Sequence, residues 1–442
     1  MTRAILVSAA IAVLAALCPR TTRAKDAATD KVPTALQEYV AAKDSAFAWK
    51  LDKEENAGDF LIYEIDLTSQ KWQGITWKHW LTVFVPVNNL SHRDTVLLFI
   101  TGGSHGNRLG GDDREMGKLL ANAAQMPVAI LNNVPNQPLL GDRTEDDLIS
   151  ETFLKYLETK DASWPLLFPM VKSAVRAMDA LQAIALEKHN QNIERFVVTG
   201  GSKRGWTTWL SAVADKRVAG IAPIVIDTLN MRAQMKHQKE TWGRYSEQIA
   251  DYTLKGLVEV MEKQPDVPLW RWVDPYTYRN ELKLPKLIVN GTNDRYWVID
   301  ATNIYWNDLV GDKHILYVPN AGHGLDGGKK NALTTISVFA QHVAMNEPLP
   351  NLSWKHDNDG DKLRLTVNSS PKPKAVKLWV AHSEDKDFRP AHWDAKPVEA
   401  NGDGAFVAEV EKPATGHVAF FAEADYEFGP LEYGLSTQMR QE

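Results

Sequence analysis

The feature that most constrains the fold is a regular alternation of short apolar runs with segments of helical periodicity. The runs are rich in β-branched residues, and the middle ones are apolar throughout, as expected for strands buried on both faces of a parallel sheet. Strand and helix in this rhythm indicate a doubly wound, mostly parallel α/β sheet. The predicted strands are 80–87, 95–102, 127–134, 195–201, 218–226, 285–291 and 314–320, and the predicted helices are 112–125, 145–160, 169–189 and 204–215.

Two segments depart from this rhythm and indicate the domain organisation. The first, about 230–283, is rich in Trp, Tyr, Met and Lys and leaves from the carboxyl end of a predicted strand. Lids of α/β folds lie at this place, although a packed helical excursion without a substrate role fits as well. The second, 348–442, consists of short alternating runs between turns and predicts a small antiparallel β-sandwich. The α/β domain is therefore predicted over 25–347, with a lid insertion and a separate accessory domain after it.

The first 24 residues have the pattern of a secretory signal. An apolar run over 4–17 follows an early arginine, and polar residues lead to Ala24. The run is shorter than the roughly 20 residues that span a bilayer. The single cysteine, Cys18, follows Leu17 instead of the small residue of a lipoprotein signal. We therefore predict cleavage near Ala24 and an exported protein of the periplasm or extracellular space without a stable membrane anchor; an uncleaved N-terminal anchor is the less favoured alternative.

Charge and motifs argue against several classes of partner. The formal net charge is −6 with both signs interspersed, which does not favour binding to nucleic acid or to an anionic membrane surface. Neither glycine-rich loop has the Gly-Lys-Ser/Thr of a phosphate-binding loop, and the sequence has no H-E-x-x-H motif and no cysteine pair. No metal and no cofactor are predicted, and the oligomeric state is not indicated.

Two serines follow a predicted strand and a pair of glycines, so each is a candidate nucleophile. Ser104 stands in GGSHG and matches the G-x-S-x-G pattern literally, whereas Ser202 stands in GGSKRG. The elbow of α/β-hydrolases needs a helix directly after the serine, so that its first N–H groups face an oxyanion. Gly110 and Gly111 prevent such a helix after Ser104. We predict an α/β-hydrolase fold with Ser202 as nucleophile, although Arg204 stands where the pattern has glycine.

A serine nucleophile needs an imidazole base and an acid that orients it. His323 stands between glycines directly after the last predicted strand, and Asp294 follows the strand before it. Ser202, Asp294 and His323 then have the Ser…Asp…His order of this fold. The alternatives are weaker, because His314 starts a strand, His342 falls in a helix and Asp300 resembles a helix cap.

Backbone amides near the two serines are candidates for an oxyanion hole. This fold takes one amide from the residue after the nucleophile, here Lys203, and one from an early loop, here Gly103 or Ser104. The basic pair of Lys203 and Arg204 also brings positive charge near an oxyanion or an acidic substrate. A salt bridge at the helix start is the favoured alternative role for Arg204.

Two further sets of residues are candidates for substrate contact. Trp270, Trp272 and Tyr276 fall in the aromatic sequence PLWRWVDPYTYR and line either a groove or a core. The acidic run 145–147 either binds a substrate ammonium or forms the first turn of a helix that Thr144 caps, and the second interpretation is favoured.

Long motifs give the sequence a family resemblance. The sequences VVTGGSKRGWTTWL, VDPYTYRNELKLPKLIVNGTNDRYW and YVPNAGHGL resemble the PhoPQ-activated pathogenicity-related proteins. The resemblance covers nearly the whole mature chain and implies an exported bacterial-type α/β-hydrolase-like protein, associated with envelope stress and cationic-peptide resistance. The family's serine, aspartate and histidine fall on Ser202, Asp294 and His323. The GSKRG turn is also similar to that of glucuronoyl esterases, which place a basic residue after the serine.

Together these observations predict an exported serine hydrolase that acts on an ester or a peptide amide through an acyl-enzyme. The family resemblance favours a peptidase linked to envelope stress. Two other hypotheses stay open. One is a binding or signalling protein that keeps the fold without turnover. The other is a sugar (uronate) ester hydrolase, suggested by the Trp-rich insertion and the basic turn.

Overall fold

A mostly parallel sheet forms the centre of the protein. The computed structural model describes residues 31–442, so the predicted signal over 1–24 lies outside the described residues. Residues 33–442 form one compact unit. The strands of its α/β part are Ala48–Asn56 (β1), Phe60–Trp72 (β2), Ile75–Pro86 (β3), Thr95–Ile100 (β4), Val128–Leu131 (β5), Arg195–Gly201 (β6), Val218–Ile224 (β7), Lys286–Gly291 (β8) and Lys313–Val318 (β9).

The strand order confirms the predicted α/β-hydrolase fold class. The strands lie in the order β1-β2-β3-β5-β4-β6-β7-β8-β9. From β5 to β9 all neighbours are parallel, whereas β1, β2 and β3 are antiparallel to their neighbours. The chain starts its parallel part at β4 and winds outward to both sides, and β4 to β6 are buried almost throughout.

Helices cover both faces of this sheet, and the four helices predicted from the sequence are present. The longest, α4, is rich in alanine and buries residues around most of its circumference, which suits a helix packed between layers. The helices of the α/β part are Ala35–Ala41 (α1), Gly111–Ala124 (α2), Glu145–Thr159 (α3), Leu167–His189 (α4), Lys203–Ala214 (α5) and Lys329–Met345 (α10, counted after the insertion).

The antiparallel edge formed by β1 and β2 is an element that sequence periodicity did not predict. A two-residue turn joins β2 to β3, and both of its residues, Gln73 (φ 47°) and Gly74 (φ 79°), have positive φ. This is the turn that best matches strand twist in a hairpin. Trp72 and Trp77 flank it and are fully buried, with ring centroids 5.7 Å apart. These two tryptophans are therefore part of the core.

The insertion between β7 and β8 is helical, and a buried carboxyl closes its base. Asp274 accepts hydrogen bonds from the backbone N–H groups of Asn230, Met231 and Tyr276, at 3.1, 2.9 and 2.9 Å. The departing and returning chain are thereby joined. Burial raises the pKa of Asp274 to about 6, although these donors lower it. Its helices are Met231–Trp242 (α6), Ala250–Thr253 (α7), Leu257–Lys263 (α8) and Pro268–Val273 (α9).

The carboxy-terminal region is an antiparallel sandwich joined to the central sheet. One layer has the order β10-β11-β14, and the other has the order β16-β15-β12-β13, with β17 beside β15. Ser436 of β16 pairs with Ile315 of β9, and its hydroxyl accepts a hydrogen bond from the N–H of Tyr317 at 3.0 Å. The strands are Asn351–Asp359 (β10), Lys362–Ser370 (β11), Ala375–Ser383 (β12), Asp394–Pro397 (β13), Phe406–Glu411 (β14), His417–Phe428 (β15), Leu431–Ser436 (β16) and Arg440–Gln441 (β17). Among the helices of residues 31–442, none is both long and apolar enough to span a membrane.

Candidate active site

Ser202 occupies a sharp turn between β6 and α5. Strand β6 ends at Gly201 and helix α5 begins at Lys203. Ser202 has φ 58° and ψ −122°, which a side-chain-bearing residue adopts only under strain. Its N–H donates to the carbonyl of Ile224 in the neighbouring strand at 2.9 Å. Adjacent structure thus holds the strained turn in place.

Two glycines allow the turn to pack against its neighbours. A Cβ on Gly205 would lie 2.6 Å from Cγ2 of Ile226 and 2.9 Å from the carbonyl oxygen of Ile224. A Cβ on Gly200 would lie 2.8 Å from the carbonyl oxygen of Ile100. The close approach of helix and strand therefore requires glycine at position 205, three residues after the serine.

Arg204 is buried beneath the turn and holds the start of α3. Its Nη1 and Nη2 donate to the two carboxylate oxygens of Glu145, each at 2.7 Å, and its Nε donates to the carbonyl of Val134 at 2.6 Å. Burial opposes ionisation of Glu145, but Arg204 outweighs it and lowers the pKa of Glu145 to about 2. Arg204 therefore has the salt bridge that the sequence favours, and not the substrate contact that is its other candidate role, because its donors are engaged within the protein.

The structure brings the three predicted site residues together. His323 Nε2 lies 2.8 Å from Oγ of Ser202, and His323 Nδ1 lies 2.8 Å from Oδ2 of Asp294. The other oxygen of Asp294 accepts a hydrogen bond from the N–H of Tyr296 at 2.9 Å. Asp294 is buried, whereas the His323 side chain is 29% exposed. The three side chains form one chain of hydrogen bonds, which runs from the buried carboxylate of Asp294 through the partly exposed imidazole of His323 to the hydroxyl of Ser202.

Tyr296 holds the imidazole from its face. The rings of Tyr296 and His323 are stacked with centroids 4.3 Å apart and an interplanar angle of 30°. The hydroxyl of Tyr296 donates to Asp146 at 3.3 Å. Sequence analysis did not identify this residue. The D-x-Y spacing after β8, in which an aspartate caps the amide two residues on, is the signal that points to it.

A buried ion pair lies beside the turn. Nζ of Lys203 is 2.8 Å from Oδ2 of Asp146, and Tyr252 donates its hydroxyl to Oδ1 of Asp146 at 2.9 Å. Burial alone lowers the pKa of Lys203, but the carboxylates of Asp146 and Glu145 outweigh it, so that the pKa is raised. The acidic run 145–147 is therefore engaged with cations of the protein, and Thr144 makes no side-chain cap.

The loop after β4 lies next to the turn. A Cβ on Gly102 would collide with the guanidinium of Arg204, and the carbonyl of Gly102 accepts from the N–H of Asn133 at 2.9 Å. Gly103 has φ 109°, which glycine adopts without strain. In the described part of the chain, no backbone carbonyl accepts from the amides of Gly103, Ser104 or Lys203. These amides are the ones that the sequence predicts as oxyanion donors.

The alternative histidines and the alternative acid lie in other pairs. His314 is in β9 with Nε2 3.0 Å from Asp312, and His342 is in α10. Asp300 accepts from Nε2 of His237 at 2.6 Å and makes no side-chain cap. Among the described residues, no group of three or more His, Cys, Asp or Glu side chains is arranged to hold a metal ion.

A cavity opens beside Ser202 and His323 beneath the insertion. Trp270 lines it, in agreement with the groove interpretation for this residue. Trp272 instead packs on Tyr156, and Tyr276 donates to Asp308, so these two are not in the wall. The lining residues are Asp146, Phe153, Ser202, Lys203, Trp206, Ile226, Thr228, Met231, Met235, Ile249, Tyr252, Leu257, Val258, Met261, Trp270, Tyr296, Trp297 and His323.

Comparison with known proteins identifies the family. The family model of the PhoPQ-activated pathogenicity-related proteins matches residues 36–389. The chain belongs to this family. The autocrine proliferation repressor protein A of Dictyostelium discoideum is 32% identical over 428 residues, which cover 89% of this chain and 86% of that protein.

Solved structures resemble this family member more distantly. An acetyl xylan esterase from Paenibacillus sp. R4 is 14% identical, with a TM-score of 0.46, over 69% of this chain and 92% of that chain. A glucuronoyl esterase from Solibacter usitatus is 13% identical, with a TM-score of 0.46, over 71% of this chain and 92% of that chain. At this level the likeness says nothing about chemistry, and the function of the family member has to be argued from its own site.

Proposed function

We propose that this protein is a serine hydrolase that cleaves a carboxylic ester or a peptide amide through an acyl-enzyme at Ser202. The observation that carries the proposal is the position of His323, whose two ring nitrogens lie 2.8 Å from Ser202 Oγ and 2.8 Å from Asp294 Oδ2. A serine hydroxyl becomes a nucleophile when a neighbouring base takes its proton. This arrangement supplies the base and the acid that orients it.

The carboxylate of Asp294 determines which nitrogen of His323 carries the proton. An ionised carboxylate only accepts hydrogen bonds, so Nδ1 of His323 is the donor and Nε2 keeps its lone pair. The hydroxyl of Ser202 then donates to Nε2 and transfers its proton as Oγ attacks the substrate carbonyl. Asp294 stabilises the imidazolium that forms, and the hydrogen bond from Tyr296 N–H keeps its carboxylate in place.

Collapse of the tetrahedral intermediate breaks the bond to the leaving group, which takes the proton from Nε2 of His323. Water then attacks the acyl-enzyme, gives its proton to the same nitrogen, and releases the carboxylic acid as Ser202 regains its hydrogen. We assign the stabilisation of the developing oxyanion to the amide of Lys203 and to an amide of the Gly103–Ser104 loop. Removal of one such donor typically costs about 10²- to 10³-fold in kcat.

The choice between ester and amide follows from the leaving group, since both pass through the same acyl-enzyme. The proposal places the reaction in the periplasm or outside the cell, in line with the predicted signal over 1–24. A role in cleaving cationic peptides is the finer form of this proposal. Its support is the resemblance to a family associated with resistance to such peptides.

Turnover by a matched set of variants tests the proposal. We expect the mature protein to hydrolyse p-nitrophenyl acetate or a peptide p-nitroanilide, and Asp294→Asn to reduce kcat by several orders of magnitude because His323 loses its orienting acceptor. Asp300→Asn removes a carboxylate of the same segment that pairs with His237, and is expected to keep kcat within a few-fold. Equal losses in both variants would contradict the assigned acid.

A second candidate function is binding or signalling without turnover. The observation in its favour is the 32% identity to a protein named as an autocrine repressor of proliferation. Under this candidate the folded mature protein hydrolyses neither substrate, and the Ser202→Ala variant is indistinguishable from the wild type in every assay. Any turnover that depends on Ser202 rejects it.

A further inference from the structure

The wall of the cavity beside Ser202 is apolar where it departs from the catalytic residues. Among the side chains that the insertion contributes are Met231, Met235, Val258 and Met261, and α3 contributes Phe153. Met235, Val258, Met261 and Phe153 are each less than 10% exposed. Unbranched thioether side chains adapt to the shape of an apolar ligand better than branched ones. The insertion therefore contributes a deformable hydrophobic surface to the site.

The charged groups on this wall are already paired. Apart from His323, the charged lining residues in the described chain are Asp146 and Lys203, which lie 2.8 Å from each other. The hydroxyls of Tyr252 and Tyr296 also donate to Asp146. The indole N–H of Trp270 donates to the carbonyl of Gln264, outside the cavity lining. A ligand that enters the cavity thus meets neither an unpaired charge nor an indole donor of Trp270.

We infer that the cavity selects substrates in which one side of the scissile bond is an uncharged hydrocarbon chain or ring. This inference rests on the proposed function and specifies its substrate class. Burial of each methylene from water is worth about a factor of 4 in affinity. A sugar hydroxyl or a charged side chain placed against the methionines and Phe153 of this wall loses its water without gaining a partner, at a cost of about tenfold or more for each group. The cavity therefore opposes a uronate or a cationic side chain in this subsite.

Rates for a small set of esters test this inference. Ethyl hexanoate and hexyl acetate each add four methylenes to ethyl acetate, one on the acyl side and one on the alcohol side. We expect kcat/KM of at least one of them to exceed that of ethyl acetate by about 30-fold or more, and ethyl glucuronate to be slower than ethyl acetate. Whichever of ethyl hexanoate and hexyl acetate reacts faster identifies whether the acyl side or the alcohol side of the bond occupies the cavity. Equal rates for the three alkyl esters, or a preference for the glucuronate, would overturn the inference.

Substitution within the cavity provides a matched comparison. Val258→Trp fills space in the cavity. We divide kcat/KM of the faster of ethyl hexanoate and hexyl acetate by kcat/KM of ethyl acetate, and we expect this ratio to fall by about tenfold or more. Leu254→Ala lies on the same insertion but at a side chain that is 87% exposed, and it should leave this ratio unchanged. An unchanged ratio in Val258→Trp would contradict the assignment of this cavity as the subsite.

Binding to an inactive variant separates this inference from the proposed function. Ser202→Ala cannot form an acyl-enzyme, and the cavity holds Trp206, Trp270 and Trp297, so that ligand binding is measurable by tryptophan fluorescence. Turnover of ethyl acetate without a preference for ethyl hexanoate or hexyl acetate would reject the substrate class alone. Binding of ethyl hexanoate at least tenfold tighter than ethyl acetate, with no turnover in the wild type, would reject the hydrolase and keep the ligand class. Neither binding nor turnover would reject both.

Discussion

The turns that contain Ser104 and Ser202 have the same sequence pattern, in which a strand is followed by two glycines and a serine, yet their structures differ. After Ser202 a helix begins at the next residue, whereas after β4 the chain runs without a helix until Gly111. Ser202 has a strained backbone and an imidazole within 2.8 Å. Ser104 is exposed, and no side chain in the described residues bonds to its hydroxyl. A short motif thus identifies an elbow only together with the element that follows it.

The difference extends to what lies beneath each turn. Under Ser202 the pair of Arg204 and Glu145 is largely buried, and Gly200 and Gly205 allow backbone and helix to approach closely. The Ser104 loop packs against the same guanidinium through Gly102. The guanidinium of Arg204 therefore supports both turns. We assign the nucleophile to Ser202 and a backbone amide donor to the Ser104 loop.

The largest expected effect separates the two serines. Ser202→Ala removes the nucleophile and should reduce kcat by about 10⁴-fold or more. Ser104→Ala keeps the backbone amide that we assign to the oxyanion hole and should retain kcat within about threefold. Steady-state hydrolysis of p-nitrophenyl acetate by the two variants measures both. A loss in Ser104→Ala as large as that in Ser202→Ala would break the comparison.

The next effect concerns the shared guanidinium. Arg204→Ala leaves the carboxylate of Glu145 without its bidentate partner. Because the Glu145 side chain is 36% exposed and gains water when the guanidinium is removed, we expect a cost of about 2–3 kcal/mol of unfolding free energy, less than for a fully buried pair. Urea unfolding measures this cost, and kcat should fall as well because both turns lose their support. Lys155→Ala is the control, since Lys155 pairs with Glu158 on the same helix at side chains that are 40% and 69% exposed, and its loss should cost less than about 1 kcal/mol. Similar costs for the two variants would show that the buried pair does not hold the turns.

Close packing behind the elbow gives a smaller effect. Gly205→Ala places a Cβ 2.6 Å from Ile226 Cγ2, and such overpacking typically costs about 1–3 kcal/mol. Gly201→Ala has open space around the added methyl group and serves as the matched control. Unfolding temperatures of the two variants should differ by about 1–3 °C, because the unfolding entropy of a chain of this length gives about 1 °C per kcal/mol. Equal unfolding temperatures would remove the packing explanation for glycine at position 205.

The smallest effect is a dependence of the free energy of unfolding on pH, caused by the buried carboxyls Asp227 and Asp274. Burial raises the pKa of Asp227 to about 6, although hydroxyls of Tyr305 and Thr302 donate to it, and the pKa of Asp274 is also about 6. An unfolded aspartate titrates near 4. Between these values the folded state binds more protons, so the free energy of unfolding falls as pH rises through 6. We expect a gain of about 1 kcal/mol per carboxyl from pH 7.5 to pH 5.

Urea unfolding at the two pH values measures this gain. Asp227→Asn should remove the part that comes from Asp227, whereas Asp112→Asn, at an exposed position in α2, should leave the dependence unchanged. Stability that rises from pH 5 to pH 7.5 in the wild type would contradict the assignment of these two carboxyls.

Local patterns are sufficient for the parts of the molecule that neighbours in sequence determine. The periodicity predicts β3 to β9 and helices α2 to α5. The chain order of the fold selects Ser202, Asp294 and His323, and the structure places these three side chains within hydrogen-bond distance. The role of these three residues in catalysis stays a prediction. Periodicity does not predict β1 because five of its nine residues are charged, as suits an edge strand with one face in water.

Long-range pairs are the part that a single sequence does not predict. Arg204 meets Glu145 and Lys203 meets Asp146 across 59 and 57 residues, a separation at which spacing carries no signal. The partners that Arg204, Trp272 and Tyr276 find inside the protein are likewise distant in sequence, although a salt bridge is the role that the sequence favours for Arg204. The continuation of the central sheet into β16 rests on one pairing, Ser436 with Ile315, which no local pattern marks.

The most direct test of the account is to locate the residue that a fluorophosphonate probe modifies in the mature protein, using peptide mass spectrometry. The account predicts a single label on Ser202 that is lost in His323→Ala, because the imidazole is what activates the hydroxyl. A label on Ser104, or no label on a protein shown by circular dichroism to be folded, would contradict it.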